Sequence, residues 1–281
     1  MSTTRQPQTG FAELNGTRLY YEVAGEGHPL VLVHGGLVDR HLWDDQFDVF
    51  AQHYKVIRYD IRGYGDSGLV KADTQSYSLR GDLYALLQWL GIEKTYVLGL
   101  SMGGGMAIDF TLTYPEMVDA LIPVAAGVSG FQSKAEDDPV SAAREAAADE
   151  ALAQHDIPRA VEISLQMWTD GPGRLPEEVD SSVRERVRAM TTRNFNRPDD
   201  ENAPLPQKLE PPAITRLNEI HVPTLIILGD QDVRDISIIA DMLESGIAGA
   251  KKVIIPGTAH HLNMEKPQEF NQIVLDFLAG L

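Results

Sequence analysis

Short apolar segments, separated by longer amphipathic ones, run along this chain of 281 residues. Continuous apolar runs of this kind are typical of strands buried on both faces, as in a parallel sheet. They occupy residues 29–34, 54–59, 95–100, 119–126, 223–229 and 251–256. In addition, Asn15-Gly16 joins two further strand-like segments and favours a tight hairpin, because both residues accept positive φ. The pattern predicts an eight-stranded, mostly parallel sheet.

Helical periodicity fills most intervals between these strands. From Ser78, a predicted N-cap, leucines recur at helical spacing until Gly91. Near the C-terminus, Pro267 begins a second amphipathic pattern whose apolar residues share one face. Strands that alternate with helices indicate an α/β fold in which helices flank the sheet.

One long interval, residues 131–212, breaks this alternation. It contains no convincing strand pattern and ends in a proline-rich connector. Its helical patterns lie at 139–155, 158–169 and 176–195. We therefore predict a helical cap at 131–212, inserted into a core domain formed by 1–130 and 213–281.

Composition and charge exclude several classes of partner. Hydrophobic residues make up 43% and charged residues 23% of the chain, as in ordinary globular proteins. The formal net charge of -17 repels phosphate backbones and anionic lipids, so we predict neither nucleic-acid nor membrane partners. Whether the chain forms a homo-oligomer is left open. The N-terminal residues lack the apolar core of a signal peptide, which predicts a cytoplasmic protein.

The chain has no cysteines, which excludes disulfides and cysteine-ligated zinc. The histidines outside the motifs described below have no spacing typical of a metal site. We therefore predict no metal and no cofactor.

Candidate chemistry begins at Ser101, which lies between an apolar strand and a helix in the stretch G-L-S-M-G. A sharp strand-to-helix turn strains its central residue and exposes the side chain. The residues two positions before and after it must then be small, as Gly99 and Gly103 are. At the start of the helix, the backbone N–H of Met102 points toward the same place.

A serine needs a base to remove its proton and an acid to orient that base. Asp230 and Asp232 follow the strand at 223–229, and two adjacent histidines follow the strand at 251–256. Because the carboxyl ends of parallel strands meet at one edge of a sheet, we expect these side chains to gather near the serine. At this point either aspartate can supply the acid and either histidine the base.

Five segments resemble the motifs of the α/β-hydrolase superfamily, and the resemblance covers most of the chain outside the cap. They are H-G-G at 34–36, D-I-R-G-Y-G-D-S-G at 60–68, G-L-S-M-G-G at 99–104, G-D-Q-D at 229–232 and G-T-A-H-H-L-N-M-E-K-P at 257–267. Within the superfamily the chain looks closest to enol-lactonases, carboxylesterases and cofactor-free perhydrolases. The resemblance implies Ser101 as nucleophile, Asp232 as acid and His260 as base. On the same motif spacing, Asp230 is interpreted as a loop or capping carboxylate, and His261 as a residue of the pocket rim or the surface. The resemblance also implies the backbone N–H groups of Gly36 and Met102 as oxyanion-hole donors.

Serine at the nucleophile position favours acyl chemistry, because dehalogenases and epoxide hydrolases of this fold attack with aspartate. We therefore expect a serine esterase or lactonase with a small-molecule substrate. Hydrolysis of a C–C bond and perhydrolysis use the same triad and stay open, as does a small-molecule receptor with negligible turnover. A lid over such a site presents apolar surface. Phe131, Met167 and Trp168 are predicted to bind the substrate, with at least one of Met167 and Trp168 on the pocket wall.

Overall fold

An eight-stranded sheet flanked by helices forms the body of the protein in the computed structural model, which describes residues 7–133, 138–198, 200 and 202–281. Residues 1–6, in which we predicted no signal peptide, lie outside this part, as do residues 134–137, 199 and 201 of the predicted cap. The predicted eight-stranded sheet is present.

The strands follow each other across the sheet in the order β1-β2-β4-β3-β5-β6-β7-β8. Their bounds are β1 Gln8–Leu14, β2 Thr17–Ala24, β3 Pro29–Val33, β4 Lys55–Tyr59, β5 Thr95–Leu100, β6 Val118–Val124, β7 Leu225–Gly229 and β8 Lys251–Ile255. Strand β2 pairs antiparallel with both β1 and β4, and all the other pairs are parallel. The sheet is therefore mostly parallel, and the predicted Asn15-Gly16 turn joins β1 to β2.

The α-helices described in the structure alternate with the central strands. Their bounds are α1 Asp44–Phe50, α2 Leu79–Trp89, α3 Met102–Thr113, α4 Pro139–Ala153, α5 Ile157–Ser164, α6 Ser181–Phe195, α7 Arg234–Gly246, α8 Leu262–Glu265 and α9 Pro267–Ala279. Helix α2 begins where Ser78 accepts a hydrogen bond from the backbone N–H of Gly81, so Ser78 is the N-cap of this helix, as predicted. Helix α9 begins at Pro267, as predicted.

The core lies between the central strands and the helices that cover them. In β3, residues Leu30 to Val33 have no exposed surface, which explains the continuous apolar run in the sequence. Helix α2 packs against α3, and α1 packs against α9. The largest fully buried side chains include Trp43, Phe50, Phe110 and Phe270.

Between β6 and β7 the described residues of the predicted cap form helices α4 to α6 and no strand. An aspartate caps the N-terminus of each of these helices: Asp138, Asp156 and Asp180. Helix α5 packs against both α4 and α6. One detail differs from the simple helix predicted at 158–169: α5 ends at Ser164 and continues as a π-helical turn, Leu165–Thr169. The division into core and cap domains stays a prediction.

None of the helices in the described ranges is long and apolar enough to cross a membrane.

Candidate active site

Ser101 occupies the turn between β5 and α3 with a strained backbone. Its φ is 58° and its ψ is -118°, a combination that non-glycine residues rarely adopt. The surrounding backbone holds this conformation, because Ser101 N–H donates to Val124 O at 2.9 Å and Ser101 O accepts from Gly105 N–H at 2.9 Å. The Ser101 side chain makes no capping hydrogen bond to α3, so its hydroxyl is available to a ligand.

The glycines on either side of the serine are required by close backbone contacts. A Cβ atom at Gly99 would lie 2.2 Å from Gly103 O, and one at Gly103 would lie 2.4 Å from the carbonyl oxygens of Val33 and His34. Gly104 is needed for packing, since its Cβ would lie 2.6 Å from the Cβ of Ala126. The turn and its packing therefore require glycine at positions 99, 103 and 104.

The two carboxylates that follow β7 lie in different surroundings. The side chain of Asp232 is buried, and its Oδ2 lies 2.7 Å from Nδ1 of His260. Its Oδ1 accepts from the N–H of Val233 at 2.8 Å, which fixes the carboxylate. Asp230 is exposed and accepts from Gly257 N–H at 2.6 Å. The structure therefore pairs Asp232, and not Asp230, with His260.

His261 is buried, although the sequence indicated a residue of the rim or the surface. Only 4% of its surface is exposed. Burial, with a smaller contribution from the neighbouring His260, lowers the pKa of His261 to about 3. Its Nδ1 lies 3.2 Å from the hydroxyl of Thr169 in the π-helical turn. His261 is therefore a neutral side chain at neutral pH.

The loop after β3 brings Gly36 to the same edge of the sheet. His34 anchors this loop, because its Nε2 accepts from Ile61 N–H at 2.9 Å and its Nδ1 lies 2.7 Å from Gly35 O. Burial lowers the pKa of His34, so it is a neutral anchor. Open space surrounds the position of a Cβ at Gly36, and Met102 begins helix α3, whose first N–H groups have no partner inside the helix. Both predicted oxyanion donors therefore border the open space beside Ser101.

A cavity of about 140 Å³ lies between this sheet edge and the helices of the cap. No Lys, Arg, Asp or Glu is among its lining residues, which are Gly36, Leu37, Val38, Ser101, Met102, Ser164, Trp168, Val187, Thr191, His260 and His261. The cavity thus has Ser101 and His260 in one wall and cap side chains in another.

Of the three cap residues predicted to bind substrate, Trp168 lines the cavity. Its ring centroid lies 4.7 Å from that of His260. Met167 is buried in the hydrophobic core, and Phe131 packs against that core half-buried, so neither lines this cavity. Trp168 lies four positions after Ser164, which also lines the cavity, whereas its neighbour Met167 packs into the core. Sequence patterns did not single out Val187 and Thr191 of α6, which stand four positions apart on one face.

The cap holds the loop that carries His260. Trp168 O accepts a hydrogen bond from His260 N–H at 3.2 Å. Further along the cap, Arg174 forms an ion pair of 2.6 Å with Glu265, and Glu265 in turn accepts from Ala259 N–H at 2.8 Å. The position of the histidine therefore depends on the cap as well as on the sheet.

Helix α6 of the cap also reaches the loops on the opposite side of the cavity. Asn194 donates from Nδ2 to Leu37 O at 3.1 Å, and its Oδ1 accepts from Gly65 N–H at 3.1 Å. Leu37 has a φ of 65°, which a non-glycine residue holds only when its neighbours impose it. Asn194 therefore links the cap to the loop that carries Gly36.

The loop at 60–68 forms a structural network. Asp60 is fully buried and accepts from Arg40 at 2.6 Å, while Arg62 forms a 2.7 Å ion pair with Asp82. Ser67 donates to Asp60 O at 2.5 Å. Across the part of the chain that the structure describes, no group of three or more His, Asp or Glu side chains is arranged to hold a metal ion.

The strand order and the serine turn define a protein of the α/β-hydrolase class. The family model described as alpha/beta hydrolase fold matches residues 28–267. The chain belongs to this family.

Relatives with assigned names are similar over nearly the whole chain. A hydrolase of Acinetobacter baylyi, named for (E)-2-((N-methylformamido)methylene)succinate, is 25% identical and is matched over 94% of this chain and 95% of its own. The enol-lactonase of Burkholderia xenovorans has a TM-score of 0.75 at 23% identity, covering 96% of this chain and 100% of that one. A bromoperoxidase of Bacillus anthracis has a TM-score of 0.75 at 25% identity, covering 97% of this chain and 100% of that one.

A shorter match joins the chain to uncharacterized proteins of Mycobacterium tuberculosis and Mycobacterium bovis. These are 34% identical over 121 residues, and the matched part spans 36% of their length.

Proposed function

We propose that this protein is a serine hydrolase of small carboxylic esters or lactones. Ser101 is the nucleophile, His260 the base and Asp232 the acid that orients it. One observation carries the proposal: Ser101 and His260 line the same cavity, while Asp232 lies 2.7 Å from Nδ1 of His260. The A. baylyi relative, which is matched over most of both chains, supports hydrolytic chemistry.

The proposed reaction uses the geometry of the site in two steps. Nδ1–H of His260 donates to Asp232, which leaves Nε2 to take the Ser101 proton while Oγ attacks the carbonyl carbon. The N–H groups of Gly36 and Met102 stabilise the oxyanion, at about 3 kcal/mol each. The carbon–oxygen bond of the ester then breaks, and His260 returns the proton to the leaving alcohol. In the second step His260 deprotonates water, which attacks the acyl carbon; the bond between that carbon and Ser101 Oγ then breaks, His260 returns the proton to Oγ, and the acid leaves.

The cavity favours short, uncharged acyl groups. Its volume of about 140 Å³ is close to that of an engineered cavity of about 150 Å³ that binds benzene. No charged side chain lines it, and a buried carboxylate without a cationic partner is costly. The proposed substrate is therefore a small neutral ester or lactone.

The test compares wild type with Ser101→Ala on 4-nitrophenyl butyrate. Turnover should fall at least about 10⁴-fold, to the residual level left by the oxyanion donors and binding, while circular dichroism stays unchanged, because only the attacking oxygen is removed. Ser237→Ala is a matched control, since Ser237 is exposed on α7 and its hydroxyl donates to Arg234 O. An active Ser101→Ala variant would overturn the proposal.

Perhydrolysis is a second candidate, favoured by the likeness to the B. anthracis bromoperoxidase. In that reaction hydrogen peroxide attacks the acyl-enzyme in place of water and releases a peracid. An assay with ester and hydrogen peroxide distinguishes perhydrolysis from ester hydrolysis. A separate assay of the same preparation with a vinylogous diketone tests for C–C bond hydrolysis. A single turnover with no further product release would instead indicate a receptor.

A further inference from the structure

His261 is a buried titratable side chain that the proposed triad does not use. It lines the cavity beside His260, and the two rings meet edge to face with centroids 5.8 Å apart. Its Nδ1 has one hydrogen-bond partner among the described residues, the hydroxyl of Thr169 at 3.2 Å. Nε2 has no protein partner there and is not among the fully enclosed polar atoms, so it is open to the cavity.

The partner of Nδ1 fixes which nitrogen carries the proton. Thr169 is fully buried, and Nδ1 of His261 is the only partner of its hydroxyl within the described chain. If Nδ1–H donated to that hydroxyl, the buried O–H would have no acceptor, which is costly. We therefore assign the Thr169 hydroxyl as donor and Nδ1 as acceptor, which leaves the proton on Nε2 of a neutral imidazole.

The rest of the cavity lining favours an uncharged partner for the Nε2–H of His261. Leu37, Val38 and Val187 supply apolar walls, and no lining side chain is an ammonium or guanidinium group. A few polar groups in an otherwise apolar pocket fix the orientation of a ligand. A neutral donor without a cation beside it suits an uncharged oxygen better than a carboxylate, which would stay unpaired.

We propose that His261 is a specificity-determining residue whose Nε2–H donates a hydrogen bond to an uncharged oxygen in the acyl part of the substrate. An ether, ketone or hydroxyl oxygen has the required chemistry. This inference rests on the proposed esterase or lactonase function and narrows its substrate class. Thr169 acts through His261 as a positioning residue, because its hydroxyl selects the tautomer.

Two 4-nitrophenyl esters of equal size test the proposal. The butyrate and the methoxyacetate have the same number of heavy atoms, and the second has an ether oxygen in place of one methylene. The measured quantity is the ratio of kcat/KM for methoxyacetate to that for butyrate. Intrinsic reactivity is the same for every variant, so comparing this ratio between variants isolates the contact with the protein.

His261→Leu should lower this ratio about three- to tenfold, the effect of one uncharged hydrogen bond. His261→Gln retains an N–H donor and should keep most of the preference. Thr169→Val leaves His261 in place but removes the hydroxyl that selects its tautomer, so it should also lower the ratio. His53→Leu makes the same chemical change at an exposed position outside the cavity and should leave the ratio unchanged.

Labelling of Ser101 by a small organophosphonate distinguishes failure of the proposed esterase or lactonase function from failure of the proposed role of His261. If Ser101 is labelled in every variant and the ratio is the same in wild type, His261→Leu and Thr169→Val, the role of His261 is overturned while the esterase proposal stands. If Ser101 of the wild type is not labelled, the proposed function fails, and the inference fails with it. A ratio that falls in both variants and is kept in His261→Gln supports the proposal.

Discussion

Replacing His261 by glutamine should make the fold less sensitive to mild acid. Burial, and after it the neighbouring His260, lowers the pKa of His261 from the ordinary 6.5 to about 3 in the folded protein. The unfolded chain therefore binds more protons than the folded one between these two values. The free energy of unfolding is highest above about pH 6.5 and falls as the pH drops toward 3.

The magnitude follows from the interval between the two pKa values. Full protonation of His261 would lower the free energy of unfolding by about 5 kcal/mol, and about 2 kcal/mol of this is already lost at pH 5. Other groups also titrate in this range: burial lowers the pKa of His34, and a hydrogen bond to Asp44 raises the pKa of His41. These groups are the same in wild type and variant, so the difference between the two proteins isolates His261.

Urea unfolding at about pH 7.5 and pH 5 measures this difference. The wild type should lose about 2 kcal/mol more than His261→Gln on acidification. His53→Gln replaces an exposed histidine and should behave as the wild type does. If the wild type and His261→Gln lose equal stability, the claim that His261 is buried in its neutral form is refuted.

Three further predictions address the proposed site. Asp232→Asn should lower kcat roughly 10³- to 10⁴-fold by removing the partner of the imidazolium, whereas Asp230→Asn should have a mild effect; steady-state kinetics with reversed severities would move the acid to Asp230. Trp168→Ala should shift ester preference toward longer acyl chains, while Met167→Ala should leave that preference unchanged and destabilise the fold by about 2–4 kcal/mol in thermal unfolding. Asn194→Ala should lower kcat at least about tenfold with the fold intact, because the loop carrying Gly36, the proposed oxyanion donor, loses its anchor; an unchanged kcat would contradict this coupling.

Local patterns were enough to predict most of the fold. Strands such as β3 and β5 are buried on both faces, so their apolar runs stood out without any knowledge of their neighbours. The serine turn was also visible in the sequence as G-x-S-x-G: Gly99 is required by the nearby Gly103 O, whereas Gly103 is required by the distant carbonyl oxygens of Val33 and His34. The loops after β7 and β8 meet at one edge because parallel strands end there.

What the sequence could not predict depends on contacts between distant segments. Thr169 and His261, which are in hydrogen-bond contact, are 92 positions apart in the sequence, and Asn194 and Leu37 are 157 positions apart. Such pairs are set by how the cap lies on the sheet, which periodicity does not encode. The π-helical turn Leu165–Thr169 could not be predicted either, because its apolar spacing in the sequence is the same as that of an ordinary helix.

The most direct test of the central claim is to identify the acyl-enzyme. Wild type mixed with 4-nitrophenyl butyrate is acid-quenched within the first turnover, and the digested protein is analysed by mass spectrometry. One butyryl group on the peptide that contains Ser101, absent from Ser101→Ala, is the predicted result. A butyryl group on another residue, or steady release of nitrophenol by Ser101→Ala, would contradict the account.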